Sequence, residues 1–100
     1  MARPSYQKVI VTSKPEWFAS YTAPTGTPVV VSVDYIPVEV TAVPGNGGSL
    51  LVETRTTATG AWVEWPAGAV TGPTSLLFEG RCHSMRFTAT GVNGVVEMAA

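Results

Sequence analysis

The sequence predicts an all-β fold: a small, single-domain antiparallel β-sandwich, jelly-roll or immunoglobulin-like, with about 7–9 strands. Three observations predict it. Valine and threonine fill the chain while leucine is scarce, and β-branched side chains fit a pleated surface better than a helix. Glycine or proline interrupts the chain so often that the longest free run, residues 49–59, has eleven residues, no longer than one average helix of about 11–12. Turn-forming residues recur at roughly the 8–12 residue interval of a sandwich or barrel.

Taken in order, the strand candidates are residues 6–13, 16–22, 29–35, 38–43, 49–57, 61–65, 75–79, 82–90 and 95–99, each bounded by turn residues. The stretch 16–22 also has a helical reading, a short turn begun by Ser13 and Pro15. Residues 1–5 form an N-terminal arm and residues 6–100 one sandwich domain, since 100 residues bury a core without help from disulfides or metal.

Two hairpins have an expected register. A two-residue loop at Thr59-Gly60, or a four-residue loop from Ala58 to Ala61 in the same register, places Arg55 opposite Glu64 and Thr54 opposite Trp65, and the loop length stays open. One face then collects Leu50, Val52, Thr54, Thr56, Val63 and Trp65 as core, while Leu51, Glu53, Arg55, Thr57, Trp62 and Glu64 face outward. The second hairpin turns at Asn93-Gly94, two residues that tolerate the positive φ of a type I′ turn, and sets Ala89 opposite Met98. Phe87, Ala89, Gly91, Val96 and Met98 form its apolar side, and Met85 extends it. Gly45-Asn46-Gly47-Gly48 reads as a flexible connector, because a phosphate-binding loop needs a following helix and Ser49-Leu50-Leu51-Val52 is strand-like.

Charge narrows the function classes. Formal net charge is -1 and the six Lys and Arg residues are scattered, so no basic stripe exists to neutralise a run of phosphates and nucleic-acid binding is not expected. No stretch approaches the length of a membrane-spanning helix, and the opening residues lack the apolar block of a signal peptide. The single Cys82 fits a reducing compartment. Charged residues are only 13% of the chain, well under the roughly 25% of an average globular protein, and such a thinly charged exterior suits a protein packed into an assembly.

No catalytic set emerges. Cys82-His83 is the one pairing that resembles chemistry, yet neighbours along a strand point to opposite faces, and a metal shell has no second histidine to draw on. The acids Glu16, Asp34, Glu39, Glu53, Glu64, Glu79 and Glu97 show no spacing that selects a general acid and base. No cofactor, metal or enzymatic activity is therefore expected. Among the aromatics, Trp65 belongs to the core, whereas Trp62 lies on the opposite, polar face, where a large ring usually has a partner. The outward face bearing Trp62, Arg55 and Glu64, together with Trp17 or Phe18, is expected to contact a neighbouring subunit.

The segment Gly60-Ala61-Trp62-Val63-Glu64-Trp65-Pro66-Ala67-Gly68-Ala69-Val70-Thr71, followed by Leu76-Leu77-Phe78-Glu79-Gly80 and Met85-Arg86-Phe87-Thr88-Ala89-Thr90-Gly91, resembles small virion proteins of tailed bacteriophages and prophages. The likeness covers the C-terminal half. It implies a small β-sandwich or jelly-roll unit on the head surface or in the tail. A weaker likeness joins Thr57-Ala58-Thr59-Gly60-Ala61-Trp62 to the Asp-box hairpins of sialidases, but Ala58 stands where the hallmark acid would be. The resemblance leads us to expect a non-enzymatic capsid decoration or cement protein, assembled in the host bacterial cytoplasm. Its expected partners are the major capsid protein, other virion proteins and further copies of itself. The alternatives are a tail or connector component, or a receptor- or carbohydrate-binding module of a tail fibre or baseplate that stacks a sugar on exposed tryptophan.

Overall fold

The computed structural model of the protein describes residues 18–33, 37–80 and 82–100. The expected strand at 6–13, the first residues of the one at 16–22, and the arm at 1–5 lie outside these residues. Eight strands follow one another: β1 (Phe18–Ala23), β2 (Val29–Ser32), β3 (Val38–Val43), β4 (Ser49–Arg55), β5 (Val63–Glu64), β6 (Thr74–Phe78), β7 (Ser84–Thr90) and β8 (Gly94–Ala99). No helix occurs among the described residues, and β1 is extended rather than a helical turn.

The strands form two four-stranded sheets, β1-β8-β3-β6 and β2-β7-β4-β5, called here sheet A and sheet B. Within them β4 pairs with β5, β3 with β6, β2 with β7 and β1 with β8, all antiparallel. First pairs with last and second with second-last, so the chain is one long antiparallel ribbon doubled back at the β4–β5 turn. Rolling that ribbon brings β8 against β3 and β7 against β4, which closes each sheet. Of the two sandwich types expected, this is the jelly roll.

Alternation builds the core. Strands β3 and β8 bury every second residue, sending Val38, Val40, Ala42, Val96 and Met98 inward from sheet A. Leu50, Val52, Met85, Phe87 and Ala89 meet them from sheet B. Burying a side chain the size of Phe87 stabilises the fold by about 1.5–3 kcal/mol. Trp65 is 2% exposed and stacks on Phe78 with ring centroids 6.4 Å apart, closing the sandwich between edge strands β5 and β6. Its indole nitrogen donates to the Gly68 carbonyl at 2.6 Å, and after that turn the chain rejoins β4 through two Leu50–Val70 backbone bonds of 2.9 Å.

Two local expectations, the first and third below, are corrected, and the second is extended. First, β7 and β8 are not a hairpin, because they belong to different sheets and Ala89 does not pair with Met98. Positive φ among the described residues is confined to four glycines, with Gly91 at 91°, so Asn93-Gly94 does not adopt a type I′ turn. Instead Asn93 Oδ1 accepts from the Thr25 backbone N–H and hydroxyl, both at 3.0 Å, pinning this crossing to the β1–β2 connection. The facing was as expected for Met85, Phe87 and Ala89, which look at Val96 and Met98 across the core, whereas Gly91, expected on the same side, is exposed in the turn after β7.

Second, the Gly45–Gly48 connector packs closely on that same crossing. A Cβ on Gly45 would run into the Asn93 carbonyl oxygen and the Val92 side chain, and one on Gly48 would lie 2.7 Å from the Thr90 carbonyl oxygen. Its glycines therefore serve close approach as well as turning.

Third, the β4–β5 register differs by two residues. Glu53 pairs with Glu64 and Thr54 with Val63, leaving residues 56–62 as the connection in place of the two-residue loop, so Arg55 does not face Glu64. A shift of two preserves which face each side chain takes. Leu50, Val52 and Trp65 are buried as expected, whereas Thr56 and Val63 are exposed because β5 is short and lies at the sheet edge.

Candidate functional surfaces

The centre of sheet B's outer face is covered by its own side chains, while Val30 and Glu64 beside it stay exposed. Pairing lines up Val30, Arg86, Glu53 and Glu64 across the four strands, with Ser32, Ser84 and Arg55 in the next row. Arg86 Nε donates to Glu53 Oε1 at 2.8 Å, with both side chains under one-third exposed. Arg55 Nε donates to Ser84 Oγ at 2.8 Å. Both guanidinium groups also lie over the Trp62 ring, 4.4 Å and 4.6 Å from its centroid for Arg55 and Arg86. Each such contact contributes about 0.5–1 kcal/mol at a partly exposed site. Two charges, one carboxylate and a large ring thus satisfy one another, and the half-buried Trp62 is held against its own sheet.

Beside this network, Cys82, His83 and Ser84 converge on Ser84 rather than on each other. Cys82 Sγ donates to the Ser84 carbonyl at 3.2 Å, and His83 Nδ1 lies 2.9 Å from Ser84 Oγ. A serine hydroxyl touching imidazole resembles a nucleophile and its base. Here the serine is 1% exposed and its oxygen already accepts from Arg55, so a substrate carbonyl has no approach to it. Burial pushes the Cys82 thiol up from its ordinary value, with backbone hydrogen bonds at Arg55 and Ser84 opposing the shift, and the sulfur stays protonated at neutral pH. No group of three His, Cys, Asp or Glu side chains able to hold a metal occurs among the described residues. The backbone ties this corner down further, with His83 N–H donating to Arg55 and Val33 N–H to His83. The chemistry here is that of a latch joining β7 to β4 and β2.

The outer face of sheet A is built differently. Its rows read Phe18, Ala99, Glu39, Leu77; then Ser20, Glu97, Thr41, Ser75; then Thr22, Val95, Val43. Phe18 is 65% exposed and Leu77 52%. A shallow groove of about 550 Å³ runs over Phe18, Ser20, Glu39, Thr41, Glu97 and Ala99. Glu39 and Glu97 are diagonal neighbours on adjacent strands, and the arginines among the described residues, Arg55 and Arg86, both belong to sheet B. This face therefore combines carboxylates that pair with no cation among the described residues with exposed apolar side chains, and its Thr41 and Ser75 hydroxyls bond one another at 2.7 Å.

Of the residues expected at an interface, the structure brings Trp62 and Arg55 together and places Glu64 on the same outward face. Phe18 stands on the other sheet, away from them, and Trp17 lies outside the described residues. Ser84, Arg86, Glu39 and Glu97 were not singled out as site residues by sequence reasoning. A period-two count from Phe87 puts Arg86 and Ser84 outward, but their partners come from β4 and from the corner before β7, which no local pattern reveals.

No protein-family model matches the chain, and neither the curated proteins nor the solved structures contain a match to it.

Proposed function

We propose that this jelly roll acts by surface fit: a non-enzymatic structural component of a tailed-phage particle that stabilises the head as a capsid decoration protein. The observation that carries the reading is the contrast between its faces. At its centre sheet B pairs Arg55 and Arg86 with Glu53, Ser84 and Trp62, leaving Val30 and Glu64 exposed beside them, while sheet A leaves Phe18, Leu77 and Val95 exposed around carboxylates that pair with no cation among the described residues. An exposed apolar patch with a polar rim is the signature of a contact surface. The phage assignment itself rests on the resemblance in the C-terminal half. Small contacts of this kind add up when many symmetric copies coat a shell, and the summed contacts must break before the shell does. The carbohydrate alternative relied on a free Trp62, whose ring two guanidinium groups already engage.

The test compares phage particles with and without the protein. Decorated particles should retain their DNA at temperatures that empty undecorated ones, with density for the jelly roll on the head in electron microscopy. Equal thermal release together with no density on the particle would sink the proposal.

A further inference from the structure

We propose that β6 is a docking edge for a second copy of this chain: two β6 strands pair antiparallel about a twofold axis at Leu76 and join two copies of sheet A into one eight-stranded sheet. This goes beyond the head-stabilising role and does not depend on it. Strand β6 (Thr74–Phe78) ends sheet A, and among the described residues only β3 pairs with it. Every second residue of such a strand turns its N–H and C=O away from the sheet, and the geometry of those groups fits another strand. Hydrogen-bond direction thus states the kind of occupant, which an apolar face alone does not.

Strand β6 also lacks the devices that blunt an edge. Its five residues, Thr74-Ser75-Leu76-Leu77-Phe78, include no charge and no proline. Sheet B is blunted by brevity, since its edge strands β5 and β2 have two and four residues. The side chains of β6 are incompletely covered. The inward residues of β3 and β8 are fully buried, whereas Leu76 and Phe78, which pack on the same core, are half-buried, and Leu77 on the outer face is 52% exposed. A strand laid alongside covers all three.

The order of residues suits a copy of the same strand. Antiparallel pairing about Leu76 sets Leu76 opposite Leu76, Thr74 opposite Phe78 and Ser75 opposite Leu77. Inward residues then meet inward residues, and the apolar layer runs across the junction. The nearest charge is Glu79, just past the strand. In this register each Glu79 lies opposite Pro73 of the second copy, and the two carboxylates stand about 20 Å apart, six residues at roughly 3.3 Å each. A parallel pairing would set them side by side. Residues 1–17 join the described body at Phe18 on β1, the opposite edge of sheet A, three strand spacings or about 14 Å from β6. The contact is isologous, so it closes at two copies.

The experiment uses the full-length protein. Light scattering at concentrations up to about 1 mM should give the mass of a dimer. Ser75 and Leu77 are both exposed, so the Ser75→Lys, Leu77→Lys variant and the Ser75→Glu, Leu77→Glu variant should each keep the β circular-dichroism spectrum. Each places like charges opposite one another across the junction and should dimerise about tenfold more weakly or worse. Mixed in equal amounts, the lysine and glutamate variants should recover the dimer mass, because every Ser75–Leu77 position then pairs opposite charges. A parent protein that stays monomeric, as it would with residues 1–17 covering β6 of their own chain, would overturn the proposal. So would lysine and glutamate variants of unchanged mass, or a mixture that stays monomeric.

Discussion

The two outer faces of this sandwich come from the same strand chemistry and end in opposite states. Sheet B spends its arginines on its own glutamate, serine and tryptophan, so Glu53, Arg55, Trp62, Ser84 and Arg86 form one connected layer. The strands of sheet A contain no arginine, and Glu39 and Glu97 sit among Phe18, Leu77 and Val95 with no cation paired to them among the described residues. The difference teaches that a charged residue signals a contact surface only when its own sheet leaves it unsatisfied. The tryptophan on the polar face of sheet B is engaged by its own sheet, while the phenylalanine beside two glutamates on sheet A stays exposed.

Both faces hang on one core, so the harshest way to break the comparison is to hollow that core. Phe87→Ala should lower stability by about 3–5 kcal/mol in urea denaturation, the usual cost of truncating a buried aromatic. A loss below 1 kcal/mol would mean that the sheets are held by something other than the packing described. Trp62→Ala strips sheet B of the ring shared by two guanidinium groups and should cost about 1–2 kcal/mol. If that variant instead keeps full stability and loses association, the roles of the two faces are reversed.

Phe18→Asp sharpens the contrast from the other side. Its stability should stay within about 0.5 kcal/mol of the parent, because the ring is 65% exposed. Its binding to phage particles, read by co-sedimentation, should nevertheless weaken. The smallest effect concerns the Cys82 corner, where a raised thiol makes the folded state the tighter proton holder. Stability should be flat below the ordinary thiol value of about 8.5, then decline at higher pH as the unfolded chain ionises first. Cys82→Ser should lack that alkaline decline, and iodoacetamide should label the parent more slowly than free cysteine at neutral pH.

Much of this was legible in the order of residues. Strand β3 falls where expected, Trp65 is buried, and the apolar sets of β7 and β8 point inward. Each of these depends only on alternation within one strand. The β4–β5 expectation kept its faces and missed its register by two, because alternation is blind to a shift of two and the loop offers no turn residues strict enough to settle its length. The candidate surface was less legible. Trp62 and Phe18 stood out as large rings, but that one is engaged by arginines and the other exposed depends on which strands lie beside them.

Asn93-Gly94 shows where the division falls. The direction of a side chain is a property of its own backbone, so composition and period-two patterning were enough to establish an all-β sandwich and the inward sets of its strands. The choice of neighbour is a competition among distant strands, each closing a loop of similar entropic cost, and it is decided by which arrangement buries the most apolar surface. Packing here sends β8 to the far sheet, beside β1 and β3, against the strongest turn signal in the chain. The jelly-roll order, the Arg–Trp layer and the open acidic face all follow from that tertiary choice.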